Sequence, residues 1–241
     1  MAHRGNGVVV MAGAVSASLF MLAGSAAKLT YVSNNNVTST TTLYSWASQA
    51  IGTASPDRVV VVCFSECQVN NNAQTVTCTI GGVAATRLTS GYINNGGNRG
   101  NYTAVFALLV PSGTTATIAL TCTAQCVRAA IAVYTLTGTN GSVTPYATQC
   151  TNGTVPGASA SVSLATNPGG AVLAYASDTS PNPTPSLAFV GVTQDFQAYV
   201  SSSAPYIGGH NNTQVGTSLT VTVNETPTNL ANILIVAAVS W

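Results

Sequence analysis

The sequence predicts an all-β fold, an antiparallel β-sandwich preceded by an apolar N-terminal arm. Three observations carry that prediction. From residue 29 onward, runs of β-branched and aromatic residues recur about every ten positions, separated by Gly, Pro, Asn and Ser. No segment places apolar residues at helical spacing between recognisable caps. Charge is scarce: Asp, Glu, Lys and Arg make up 5% of the 241 residues, against roughly 25% in ordinary soluble domains, while 46% are hydrophobic. Disordered chains combine low hydrophobicity with high net charge, so this composition describes a folded chain whose surface is built from hydroxyls and amides.

The elements follow in order. Residues 1–28 form the arm: 8–27 is apolar and small, with Arg4 before it and Ser25-Ala26-Ala27 at its end. That layout suits an arm buried against a neighbouring subunit or, alternatively, a secretory signal peptide. Gly, Ser and Ala dilute it too far for a good membrane-spanning helix. Strands are predicted at 29–33, 43–51, 58–65, 75–80, 83–88, 102–110, 116–123, 127–137, 160–165, 171–177, 187–193, 218–223 and 233–241. The stretch 138–156 is the best candidate linker, but either half alone would hold few strands, so 29–241 is read as one domain.

The turns have mechanisms. Gly81-Gly82 supplies the positive φ that a two-residue hairpin needs. Pro111-Ser112-Gly113, Asn140-Gly141 and Pro168-Gly169-Gly170 reverse the chain, and the prolines within 180–186 exclude a strand there. Alternation then assigns faces. Val76, Cys78 and Ile80 share one side of their strand, opposite Thr75, Thr77 and Thr79. Ile118, Leu120 and Cys122 do the same opposite Thr117, Ala119 and Thr121. The run 58–63 is apolar on both faces, as in a central strand covered on each side. Two packed antiparallel sheets, immunoglobulin-like or jelly-roll-like, accommodate this many short strands.

Six cysteines, Cys63, Cys67, Cys78, Cys122, Cys126 and Cys150, make an even set from which at least one disulfide is expected, with the pairing open and buried free thiols as the alternative. The spacings Cys63-x3-Cys67 and Cys122-x3-Cys126 do not match a zinc ribbon, and neither His3 nor His210 is near in sequence. No metal set and no cofactor is expected.

The function classes narrow by what is missing. A net charge of +1, a single lysine (Lys28) and the scattered Arg4, Arg58, Arg87, Arg99 and Arg128 exclude a duplex-binding patch. The acids are Asp57, Glu66, Asp178, Asp195 and Glu225. Asp178 and Asp195 are the pair that could share a glycosidase cleft, but they read better as a turn cap and an exposed strand end. His210, in Gly208-Gly209-His210-Asn211-Asn212, reads as a solvated loop histidine, and no G-x-S-x-G elbow exists. Asp57-Arg58 reads as a turn cap with a surface ion pair. No enzyme is expected. N-x-S/T matches are no more frequent than this Asn-, Ser- and Thr-rich composition produces by chance. Candidate contact loops carry Tyr92, Arg99, Tyr102, Phe196, Tyr199, Tyr206 and His210, a possible face for a glycan or protein.

Several phrases occur together in order. Ile51-Gly52-Thr53-Ala54-Ser55 leads into Asp57-Arg58-Val59-Val60-Val61-Val62, and Thr79-Ile80-Gly81-Gly82-Val83-Ala84-Ala85-Thr86 follows. Then come Val110-Pro111-Ser112-Gly113-Thr114-Thr115-Ala116-Thr117, Val133-Tyr134-Thr135-Leu136-Thr137-Gly138 and the closing Val239-Ser240-Trp241. Over 29–241 the chain resembles β-sandwich virion structural proteins of tailed bacteriophages; the arm and the cysteines fall outside the pattern. The resemblance implies no catalytic residues. It implies a homo-oligomeric protein on the virion surface in contact with other capsid or tail proteins, most simply a capsid decoration or cement protein. The alternatives are a tail or fibre receptor-binding module and a secreted bacterial adhesin. Neither nucleic acid nor, unless the arm is a signal peptide, a membrane is an expected partner.

Overall fold

The computed structural model describes residues 26–68, 74–94, 100–151, 159–179, 185–202, 204–226 and 233–241; most of the N-terminal arm and Arg99 lie outside the described residues. The described residues hold sixteen strands and no helix. Eight strands form one antiparallel sheet that curls until nearly closed: β1 (Lys28–Val37), β2 (Thr41–Ala50), β3 (Val59–Gln68), β4 (Val76–Ile80), β5 (Val83–Ala84), β6 (Thr86–Asn94), β7 (Gly100–Leu109) and β8 (Thr115–Thr137). The remaining strands are β9 (Ala147–Cys150), β10 (Ser159–Ala165), β11 (Val172–Ser177), β12 (Ser186–Val190), β13 (Thr193–Tyr199), β14 (Pro205–Asn211), β15 (Ser218–Thr226) and β16 (Ile235–Ser240). They make a five-stranded sheet in the order β13-β14-β11-β16-β9 and a three-stranded sheet in the order β10-β15-β12.

Strand parity sets the layers. Val60, Val62 and Phe64 of β3 point into the curled sheet, whereas Val59, Val61 and Cys63 point out against Leu173 and Tyr175 of β11. On the other face of β11, Val172, Ala174 and Ala176 pack with Val221 and Val223 of β15. The sandwich thus has three layers and three apolar cores: one inside the curled sheet, one between it and the five-stranded sheet, one beneath the three-stranded sheet. β3, β11 and β16 are buried along their whole length, which is why 58–63 carries apolar residues on both faces. The middle core draws on both halves of the chain, from Leu29 to Trp241.

The predicted alternation is present: Val76, Cys78 and Ile80 are buried with Ile118, Leu120 and Cys122 inside the curled sheet. Gly81 and Gly82 turn at φ 61° and 82°, joining Ile80 to Val83. The segments predicted at 116–123 and 127–137 are one strand. The first part of β8 lies between β2 and β4, the second between β1 and β3, so it spans two walls of the sheet. The segment predicted at 187–193 corresponds to β12, while β13, which enters a different sheet, is not predicted by the sequence.

Neither β9 nor β14 is legible in the sequence. β14 contains Gly208, Gly209, His210 and Asn211, residue types that strands avoid. The glycines are there because neighbours press on the strand: a Cβ at Gly208 would overlap the Tyr134 hydroxyl and the Phe196 ring.

The disulfide expectation is corrected. Cys63, Cys67, Cys78, Cys122, Cys126 and Cys150 are all free thiols. The physical reason is distance: no two cysteines stand at disulfide distance, and the layering further separates Cys63 and Cys150, at the middle core, from Cys78, Cys122 and Cys126 inside the curled sheet.

Candidate functional site

The predicted contact positions among the described residues lie in strands, not loops. Tyr92 lies in β6, Tyr102 in β7, Phe196 and Tyr199 in β13, and Tyr206 and His210 in β14. Tyr102 and Tyr206 are buried, and Phe196 and Tyr199 are half-buried. Instead of facing a partner, the aromatic rings join β1 to the five-stranded sheet: Tyr31 stacks on Phe196 with centroids 5.0 Å apart and meets Tyr134 edge-on at 5.5 Å. The Tyr206 hydroxyl donates to Asn34 Oδ1 (3.0 Å) and accepts from Asn36 Nδ2 (3.1 Å).

His210 is likewise no solvated loop residue. Its Nδ1 stands 2.8 Å from Asp195 Oδ2, and the Tyr134 hydroxyl donates to that same oxygen at 3.0 Å. This is the one ion pair among the described residues. An Asp–His pair activates a nucleophile only if a hydroxyl or thiol reaches the second ring nitrogen. Among the described residues no serine, threonine or cysteine side chain bonds to His210. The pair clamps β13 to β14.

Asp57 and Arg58 do not form a surface ion pair either. Asp57 accepts from the Ser55 hydroxyl and the Gly138 amide, and these bonds hold its carboxyl below the usual range. Arg58 is fully buried. Its guanidinium donates to four backbone carbonyls: Gly52 (2.6 Å), Val110 (2.8 Å), Ser112 (2.8 Å) and Gly113 (2.9 Å). Burial lowers its pKa. Asp57 and Arg58 thus hold Gly52, Val110, Ser112, Gly113 and Gly138 together at one corner.

No family model matches the chain, and no curated protein matches it in sequence.

Two buried acid clusters remain, and neither was visible as a cluster in the sequence. The first closes the core under the three-stranded sheet. Asp178 follows β11 on the face of Ala174 and Ala176, and Glu225 continues the inward face of Val221 and Val223 on β15. Both are buried. The Thr179 and Ile233 amides lower the Asp178 pKa somewhat, but none of the four carboxyl oxygens has a hydrogen bond of proper geometry, and the two groups influence each other's ionisation. Burial pushes Asp178 up to about 7; burial, and then the Asp178 charge, push Glu225 up to about 8. The reading of Asp178 as a turn cap and Asp195 as an exposed strand end is corrected: Asp178 is buried, and Asp195 lies within β13, where it holds Tyr134 and His210.

The second cluster lies at one end of the curled sheet. Glu66 projects inward two residues beyond Phe64, opposite Tyr102 across the β3–β7 ladder. Its Oε1 accepts from Gln68 Nε2 at 2.9 Å, while Oε2 has no bond of proper geometry. Cys122 Sγ, Cys126 Sγ and a Glu66 carboxylate oxygen lie within 4.8 Å of one another, all three residues buried. Burial first, then Cys126, raises Glu66 well above the carboxylate range. A hydrogen bond that the Cys126 thiol donates to Cys122, followed by burial, raises Cys126. Thiols so held are poor nucleophiles. A small polar seam adjoins Glu66 and Asp178, where Asn101 Nδ2 donates to the Ser177 and Ile233 carbonyls at 3.1 and 2.8 Å.

Proposed function

We propose that this chain is a non-enzymatic structural protein that works inside an assembly, as a homo-oligomeric decoration or cement protein on a bacteriophage virion surface. The observation that carries this reading is where the few charges go. Arg58, Glu66, Asp178 and Glu225 are buried. Only Lys28 and Arg87 are exposed among the charged side chains of the described residues. A surface with almost no charge does little to keep copies apart.

The sheet edges support the same reading. Isolated β-proteins protect edge strands with lysine, proline or inward charges. The edge strands β10 (SASVSLA) and β12 (SLAFV) carry none of these, and Val190 on β12 is 58% exposed. The outward face of this sheet is a ladder of hydroxyls, with Ser161 bonded to Thr222 and Ser163 to Thr220 at 2.8 Å. The resemblance to tailed-phage virion proteins names the kind of assembly. A host-binding role draws less support, because Tyr102 and Tyr206 are buried.

The test is to purify the full chain, measure its mass by light scattering across concentration, and image particles from cells that make it. Closed oligomers at micromolar concentration, together with density on the particle surface, are the expected result. A monodisperse monomer that never sediments with particles would overturn the proposal.

A further inference from the structure

We propose that Glu66, Cys122 and Cys126 form a binding site for a thiophilic divalent cation of the zinc type, which ties a bend in β8 to β3. The backbone makes the case first. Four residues apart in an extended strand, two side chains sit on one face roughly 13 Å apart. Here the sulfurs lie within 4.8 Å. They meet because β8 leaves its ladder between them: Thr41 and Leu43 of β2 face Cys126 and Thr121, so two steps on one strand span five on the other. A second shift sets Cys67 and Gln68 of β3 opposite Arg128 and Cys126. The Tyr44 hydroxyl fixes the bend by donating to the Cys126 carbonyl at 2.8 Å.

The donor set suits the ion. A tetrahedral zinc with sulfur at about 2.3 Å needs its sulfurs roughly 3.8 Å apart, inside the observed spread. Two thiolates and one carboxylate are borderline-soft ligands, which favour zinc over magnesium or calcium. Glu66 Oε2 and Gln68 Oε1 are both buried without hydrogen-bond partners, and an unpaired polar atom in such a place costs free energy that a cation would return. Gln74 Nε2 donates to Cys126 Sγ at 3.4 Å, the kind of outer contact that orients a thiolate ligand. On binding, the cation displaces both thiol protons and the carboxyl proton into solvent, leaving a fourth position for water or for Gln68 Oε1.

The probe is Co²⁺ titrated anaerobically into the reduced full-length protein. The expected result is a thiolate-to-cobalt charge-transfer band saturating at one equivalent, abolished in Cys126→Ser and kept in Cys150→Ser. Glu66→Gln should weaken the affinity at least tenfold. Absence of the band from the wild type, or its persistence in Cys126→Ser, would overturn the proposal. Should Cys126→Ser fail to fold, X-ray absorption on the zinc-loaded wild type decides: two sulfur neighbours with oxygen or nitrogen completing the shell support the site, and any other sulfur count rejects it.

Discussion

Asp178 and Glu225 meet at the end of the core beneath the three-stranded sheet, two buried carboxyls that influence each other's ionisation. Both have folded-state pKa values, about 7 and about 8, above the ordinary 3.8 and 4.5. The folded protein therefore holds protons that the unfolded chain releases. Stability is greatest near pH 4 and is lost as pH rises through the folded values, by up to about 1.4 kcal/mol per pH unit for each carboxyl. Urea midpoints should fall from about pH 5 to about pH 8, and Asp178→Asn with Glu225→Gln should flatten that fall. A midpoint that rises over this range would refute the raised carboxyl pKa values.

Arg58 supplies the donors for four carbonyls and has no carboxylate partner among the described residues. Arg58→Met removes the donors of those four carbonyls from a fully buried position, at an expected cost of about 3 kcal/mol. Arg58→Lys should recover little, since an ammonium cannot fork to the same positions. Denaturant unfolding of both variants checks this. A loss below about 1 kcal/mol would mean that water replaces the guanidinium.

Gly208→Ala pushes a methyl group into the Tyr134 hydroxyl and the Phe196 ring. Overpacking of this kind costs about 1–3 kcal/mol. Tyr134→Phe removes one of the two obstacles, so the double variant should lose less than the sum of the single losses. Strict additivity would show that β14 shifts away from Tyr134.

Alkylation of the denatured chain without reductant should modify all six cysteines, because all six are free. In the native protein Cys150, the only one not fully buried, should react first and slowly, its thiol pushed up to about 12 by burial. Peptide mapping over time reads both. A cysteine pair resistant to alkylation after denaturation would restore the disulfide expectation.

What could be read along one strand at a time proved legible. The alternation of Val76, Cys78 and Ile80, the two-faced run in β3, the Gly81-Gly82 hairpin and the scarcity of charge are local or compositional, and they led to the all-β class. They also placed Cys78 and Cys122 on core-facing sides, which argues for free thiols over the disulfide that the even cysteine count favoured. His210 was misread because its glycine neighbours look like a loop until Tyr134 and Phe196 are packed against them.

The sequence by itself determined that this chain folds into β-sheets with a nearly uncharged surface, because period-two patterning and composition do not depend on which strands become neighbours. Only the tertiary structure decided that Glu66 joins Cys122 and Cys126, that Asp178 meets Glu225, and that Tyr102 and Tyr206 turn inward. Those meetings depend on ladder register, on the bend in β8 and on the stacking of a third layer. These are long-range outcomes of packing that no single segment encodes.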